Sequence, residues 1–152
     1  MHIQHFSGEV RVQPSAFATT AELISERLAT LDLPFAADDW RILHDTRANA
    51  LIVGSPMTIN AAVASLLPLL RQPLLTWEPS VLREPPLPST GTLVIQRVDS
   101  LNAVQQRCLL NHLSSPTQDL RVISLASTPV YPLVKRGEFS APLYYRLNIL
   151  CL

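Results

Sequence analysis

At 152 residues the chain is long enough for one domain with a real core. Apolar residues make up 47% and charged ones 16%, and twelve basic side chains cancel twelve acidic ones, so nothing draws the chain toward DNA or an acidic membrane. Eleven of the basic residues are arginine and the lone lysine is Lys135, with no basic run among them.

Residues 2–18 alternate briefly (Glu9, Val10, Arg11, Val12) and read as a short strand or N-terminal arm. Thr19 and Glu22 have the spacing of a capping box, and Ile24, Leu28 and Leu31 follow on one helical face until Pro34. Residues 38–49 form a polar helix or loop leading into the apolar run Ala50-Leu51-Ile52-Val53, a buried strand ended by Gly54. A helix is expected over 59–70, with Pro68 bending or shortening its end. A second strand spans 74–77, and residues 78–90, with Pro79, Pro85, Pro86 and Pro88, form an irregular connector. The third strand is expected over 92–98. A helix over 100–113 follows, capped by Asp99 or Ser100, with Leu101, Val104, Cys108 and Leu109 near one stripe. Residues 121–125 make a fourth strand, 135–145 another short helix, and 147–152 a fifth apolar run.

Short apolar runs separated by helical patterns imply an α/β fold of about five mostly parallel strands covered on both faces. Ligands in such sheets bind at the carboxyl ends of the strands. That points to the loop after Val53, the end of the third strand and the turn after Leu125. A phosphate-binding loop there needs glycines, a lysine for the terminal phosphates and a hydroxyl for the metal. Gly54-Ser55-Pro56-Met57-Thr58-Ile59-Asn60-Ala61 keeps the first glycine, has no lysine, and carries Pro56, which removes an N–H donor. The third strand ends Ile95-Gln96-Arg97-Val98, where a working ATPase holds carboxylates for the metal and the attacking water. Gln96 lacks that charge, and Arg97 repels Mg²⁺.

Other chemistry is not indicated. His2, His5, His44 and His112 lie scattered, away from any metal-ligand spacing, and no serine sits in a nucleophile elbow. Cys108 and Cys151 read as two buried free thiols, and Trp40 and Trp77 as core residues. Residues 66–75 are broken by Pro68, Arg71 and Pro73, too short an apolar run for a membrane span, and Met1-His2-Ile3-Gln4-His5 has no signal-peptide character. The expectation is a cytoplasmic chain.

The second half carries an ordered pattern. Gly91-Thr92-Leu93-Val94-Ile95-Gln96-Arg97-Val98-Asp99 comes first, then Gln106-Arg107-Cys108-Leu109-Leu110 and Arg121-Val122-Ile123-Ser124. Gly137-Glu138-Phe139 and Leu143-Tyr144-Tyr145-Arg146-Leu147-Asn148 complete it. This series resembles the AAA+ domain of the sigma-54-dependent transcription activators, the bacterial enhancer-binding proteins, with their "GTLFLDE", "QxxLLR", "VRVIAAT" and "GxFRxDLYYRLN" motifs. The likeness covers roughly residues 45–152 with one large gap. It implies a P-loop NTPase-like AAA+ core, a three-layer sandwich, in one degenerate domain over 1–152. It also implies losses. The family's phosphate-loop lysine falls on Asn60 and the residue after it on Ala61, and the Asp-Glu pair falls on Gln96 and Arg97. The sensor asparagine falls near Ser127. The first arginine of the finger region falls on Ser140, while the second is retained as Arg146. Gly54 and Thr58 are what remains for a phosphate. Gly91 stands 37 positions after Gly54, too few for the family's sigma-factor-contacting "GAFTGA" loop, which occurs nowhere in the chain. The helical lid and a DNA-binding helix-turn-helix are expected to be missing.

These features predict a catalytically inactive AAA+-like regulatory protein, with no cofactor and no direct nucleic-acid contact, acting by protein contact on an active activator or a sensor protein. Arg146, Arg83 and Glu84 are its candidate interface residues, and a homodimer through 147–152 is an alternative contact. Two further functions stay open: a weak ATP binder, and an adaptor module unrelated to transcription.

Overall fold

The computed structural model describes residues 42–43 and 46–151. The arm at 1–18, the helix over 19–33, Trp40, His2, His5 and His44 lie outside the described residues.

The apolar run at 50–53 forms β1 (Ala50–Val53), and β2 (Leu74–Trp77) has the bounds its sequence implies. The remaining strands are β3 (Thr90–Ile95), β4 (Asp119–Ala126) and β5 (Leu150–Cys151). All pair in parallel, in the order β2-β3-β4-β1-β5. The helices are α1 (Pro56–Leu66), α2 (Ala103–Leu113), α3 (Tyr131–Lys135) and α4 (Ala141–Leu147).

Alternation along each strand splits the core into two clusters, one on each side of the sheet. Leu51, Leu93, Ile95 and Val122 face one way and pack with Leu109 of α2, Leu143 and Leu147 of α4, Phe139 and Trp77. Ala50, Ile52, Val94, Ile123 and Leu125 face the other way, under Ala62, Val63 and Leu66 of α1 and Leu43. The result is a three-layer α/β sandwich. Ser124 shares the first face with Val122 and Ala126. It is fully buried, and its hydroxyl has no hydrogen-bond partner. An orphaned buried hydroxyl costs stability, so Ser124→Ala is expected to stabilise the fold by about 1 kcal/mol. A urea midpoint that falls instead would show that the hydroxyl is bonded.

Several boundaries differ from the sequence expectation. The helix expected over 59–70 starts at Pro56, because Ser55 caps it and proline suits the first helical position, and it gives way to a 3₁₀ turn (Leu67–Leu69) at Pro68. The third strand runs two residues earlier than expected and stops at Ile95. Gln96 and Arg97 follow it in a turn, and Val98 enters a 3₁₀ turn (Val98–Ser100). Neither Asp99 nor Ser100 caps α2. Asn102 does, in a reciprocal capping box with Gln105. The stripe expected on this helix holds in part, since Leu101 and Leu109 are buried in the core. Val104 and Cys108 are exposed, and the buried face consists of Gln105, Gln106 and Leu109. The expected buried thiol at Cys108 is therefore a surface one. The short helix expected over 135–145 is two helices broken at Gly137, whose φ of 73° favours glycine. Leu147 belongs to α4, not to the final strand.

The proline-rich connector is irregular but tied down. Prolines supply carbonyls without N–H groups, so its partners must be donors. The Trp77 indole donates to the Leu82 carbonyl at 2.7 Å, and the Gln105 amide donates to Arg83 O at 2.9 Å and Pro79 O at 3.4 Å. The His112 ring meets the Pro88 carbonyl at 2.9 Å. At the start of β4, Arg121 is buried. Its guanidinium donates to the carbonyls of Leu43 (2.8 Å) and Ala48 (3.0 Å), and burial lowers its pKa from the ordinary value. That arginine ties the segment before β1 to the sheet.

Candidate functional site

The chain leaves β1 through α1 toward one face of the sheet and leaves β4 through α3 and α4 toward the other. The carboxyl ends of β1 and β4 therefore form the topological switch point, where α/β sheets bind ligands. The Gly54 N–H donates to the Ala126 carbonyl at 3.1 Å, tying the two exits together. Gly54, Ser55 and Thr58 come from the first exit and Ser127 from the second, with Gln96 and Arg97 at the end of the adjoining β3. The topology thus brings most of the expected positions to one end of the sheet.

Their local geometry does not suit a phosphate. Gly54 and Ser55 alone separate the end of β1 from Pro56, the first residue of α1. A phosphate cradle needs a longer glycine-rich loop whose N–H groups converge before the helix begins. Here Ser55 caps α1 by accepting the Thr58 N–H at 3.2 Å, and its hydroxyl lies 2.9 Å from the Thr58 hydroxyl. Pro56 has no N–H to offer, so Met57 carries the one first-turn N–H not used within the turn. Asn60 and Ala61, the positions matched to the lysine and its neighbour, lie inside the helix. Asn60 is exposed and Ala61 is buried in packing.

The β3 end is equally unsuited to a metal. Gln96 donates its N–H to the Trp77 carbonyl at 2.8 Å and is partly buried. Arg97 is exposed and adopts a left-handed backbone (φ 51°), and its carbonyl accepts from Ser100 N (2.8 Å) and Ser100 Oγ (2.7 Å). Ser127 is exposed beyond β4. Among the described residues no group of His, Cys, Asp and Glu could hold a metal ion. The side chains present do not fit a metal-bound triphosphate.

The finger region is used within the chain. Ser140 caps α4 by accepting Leu143 N–H at 3.3 Å, and Arg146 donates to the Leu113 carbonyl at 3.0 Å, closing the last turn of α2. An exposed guanidinium on one orphan helix carbonyl is worth little. Arg146→Ala is expected to cost about 0.5–1 kcal/mol in urea unfolding. A cost above about 2 kcal/mol would give Arg146 a larger structural role. Of the other candidate interface residues, Arg83 and Glu84 are both exposed on the connector.

The sequence reading missed Gln106 and Asn49. Gln106 is 5% exposed and makes three hydrogen bonds, one to the Leu101 carbonyl and two that lock the 138–140 segment to α2. Asn49 donates to the Arg146 carbonyl at 3.0 Å and accepts Val122 N–H at 2.8 Å. For Gln106 the signal was available, since it stands at the glutamine of the "QxxLLR" pattern. Nothing in the sequence singles out Asn49.

A parallel five-stranded sheet with a switch point at the β1 exit and helices on both faces is the architecture of a P-loop NTPase-like core. The Sigma-54 interaction domain family matches residues 50–152, and the chain belongs to that family. No curated protein matches the chain. Among solved structures it is similar to NtrX from Brucella abortus in complex with ATP, with a TM-score of 0.56 and 17% identity. That match covers 85% of this chain and 36% of that one, so the chain spans little over a third of NtrX. The P-loop NTPase domain of a sigma-54 activator from E. coli matches with a TM-score of 0.54 and 21% identity, over 71% of this chain and 97% of that one. RuvB T158V from Thermotoga maritima matches with a TM-score of 0.50 and 19% identity, over 86% of this chain and 44% of that one. At these identities the likeness is one of fold. No helix among the described residues is long and apolar enough to cross a membrane.

Proposed function

We propose that this chain is a non-hydrolysing member of the sigma-54 interaction family that acts in transcription regulation by contacting another protein. The observation that carries this reading is the two-residue turn from β1 into α1, which spends Ser55 and Pro56 on capping the helix. Gln96 and Arg97, in place of two carboxylates, support it from the β3 side. Positioning and charge stabilisation supply nearly all of the rate in phosphoryl transfer, and this end of the sheet offers neither. A hydrophobic core on each side of the sheet keeps the domain folded, as a contact protein requires.

A second reading has a specific motive. The similar NtrX structure holds ATP, and backbone donors near Gly54 and Met57 could bind nucleotide weakly without turnover.

Phosphate release from ATP–Mg²⁺ tests the catalytic half. No release above the protein-free blank is expected, and turnover in the ordinary range of about 1 s⁻¹ or faster would end the reading. The contact half is tested by adding the chain to an active sigma-54 activator AAA+ domain. A change of twofold or more in that domain's ATPase rate is expected. An unchanged rate, with no co-elution, would remove an activator as the partner.

A further inference from the structure

Within the connector the chain reads Glu84-Pro85-Pro86-Leu87-Pro88. Each proline ring fixes its own φ, and each residue before a proline is held extended, so the run keeps a polyproline II-like course. Residues 85–88 belong to no helix, strand or turn, and they are half-buried. Leu87 packs on the first core cluster and the His112 ring meets Pro88 O, which fixes one side of the run to the domain. The carbonyls of Pro85, Pro86 and Leu87 accept no hydrogen bond among the described residues. The connector thus presents acceptors and flat proline rings, and the groups that complement it are hydrogen-bond donors on aromatic faces.

Such faces stand elsewhere on the same chain. Tyr131 of α3 meets Tyr144 of α4 with ring centroids 5.7 Å apart, and Tyr144 meets Tyr145 at 5.4 Å, so the three rings form one row. Tyr131 is 43% exposed and Tyr145 62%, and their hydroxyls make no hydrogen bond among the described residues. Lys135 Nζ lies 5.2 Å from the Tyr131 centroid. Residues 127–151 carry Lys135, Arg136 and Arg146 against Glu138 alone, whereas the connector carries Glu78 and Glu84 against Arg83. The two features lie on different sides of α2. Gln105 and His112, seven positions apart, hold the connector, while Gln106 and Leu113, each one position further, hold the 138–140 segment and Arg146.

We propose that the connector of one copy of this chain docks on the tyrosine row of a second copy. Pro85 and Pro86 lie on the Tyr131 and Tyr145 rings, the unbonded carbonyls accept from the tyrosine hydroxyls, and Glu84 faces the basic flank. A proline-rich segment suits an aromatic row because it is already stiff and loses little entropy on binding. The contact joins two different surfaces, so each pairing leaves a connector on one copy and a tyrosine row on the other, and the copies add head to tail. It goes beyond the contact reading above, which concerns another protein.

Sedimentation velocity of the full chain, from micromolar to near-millimolar concentration, tests this. A sedimentation coefficient that rises with concentration is expected. Tyr145→Ala, and separately Pro85→Ala combined with Pro86→Ala, should each weaken the association at least about tenfold. An equimolar mixture of the two variants keeps one intact pairing, so it should recover a dimer and nothing larger. A fluorescein-labelled peptide of residues 78–90 should bind the parent chain, and bind Tyr145→Ala at least about tenfold more weakly. Thermal melting of Tyr145→Ala should match the parent because that side chain is exposed, so this variant carries the test even where the proline variant unfolds. A monomer at every concentration, association unchanged in Tyr145→Ala, or a mixture of folded variants that stays monomeric overturns the proposal. Tighter binding of a single-stranded oligonucleotide than of the peptide, lost in Tyr145→Ala, overturns it too, because the row would then be a stacking platform for bases.

Discussion

Gln106→Leu is expected to cost the fold about 3–5 kcal/mol, read as a fall in urea midpoint at constant slope. The Gln106 amide nitrogen donates to the Leu101 carbonyl at 2.8 Å and to the Glu138 carbonyl at 3.0 Å. Its oxygen accepts the Ser140 N–H at 2.8 Å. Leucine fills nearly the same volume but leaves these backbone groups without partners in a site that is 5% exposed. Each orphan costs about 1–3 kcal/mol, and the gain from a more apolar side chain offsets only part of the sum. The loss also reaches α4, because Ser140 caps that helix. A midpoint within about 1 kcal/mol of the parent would mean that the 138–140 segment does not depend on this side chain.

Gly91→Ala should be of similar size, about 3–5 kcal/mol, by a different cause. Gly91 has φ of 100°, a backbone region that L side chains rarely adopt. A β-carbon there would stand 2.3 Å from the Pro73 carbonyl oxygen and 2.9 Å from the Pro73 nitrogen. Both are backbone atoms, and the Pro73 carbonyl also accepts the Thr92 N–H at 2.9 Å, so β2 and β3 must separate to make room. The glycine that opens the "GTLFLDE"-like segment is therefore explained by strand packing and needs no role in catalysis. Equal thermal melting of the alanine variant and the parent would contradict this.

The strands and layers were legible because short apolar runs of fixed parity leave few options. Ala50-Leu51-Ile52-Val53 and Leu74-Leu75-Thr76-Trp77 are bounded by Gly54, Pro73 and Pro79, and both strands take the bounds these residues imply. Helix starts were harder to read. Ser55-Pro56 reads equally as a loop or as a cap followed by a first-turn proline, and only the second agrees with α1. The stripe on α2 failed at Val104 and Cys108 because the buried face carries, beside Leu109, Gln105 and Gln106, polar residues whose amides serve the connector and the 138–140 segment. Periodicity of apolar residues cannot see a buried amide that backbone carbonyls satisfy.

The candidate site was half legible. Topology gathers Gly54, Gln96, Arg97 and Ser127 at the carboxyl ends of the strands, as the order of runs implies. Counting residues along a motif placed Asn60 and Ala61 in a phosphate loop, but a helix that begins at Pro56 carries them into its own body. Spacing within a motif has meaning only while the backbone keeps the motif's shape. The capping by Ser55 decides that here.

Calorimetric titration of the full chain with ATP–Mg²⁺, paired with thermal melting, tests that point most directly. No heat of binding and no melting shift at millimolar nucleotide are predicted. A micromolar site would be nearly saturated under those conditions and would add about 4 kcal/mol to stability, a shift of several degrees. Such a shift would mean that the turn at Gly54 and Ser55 opens to wrap phosphate, and the chain would be a nucleotide-binding protein.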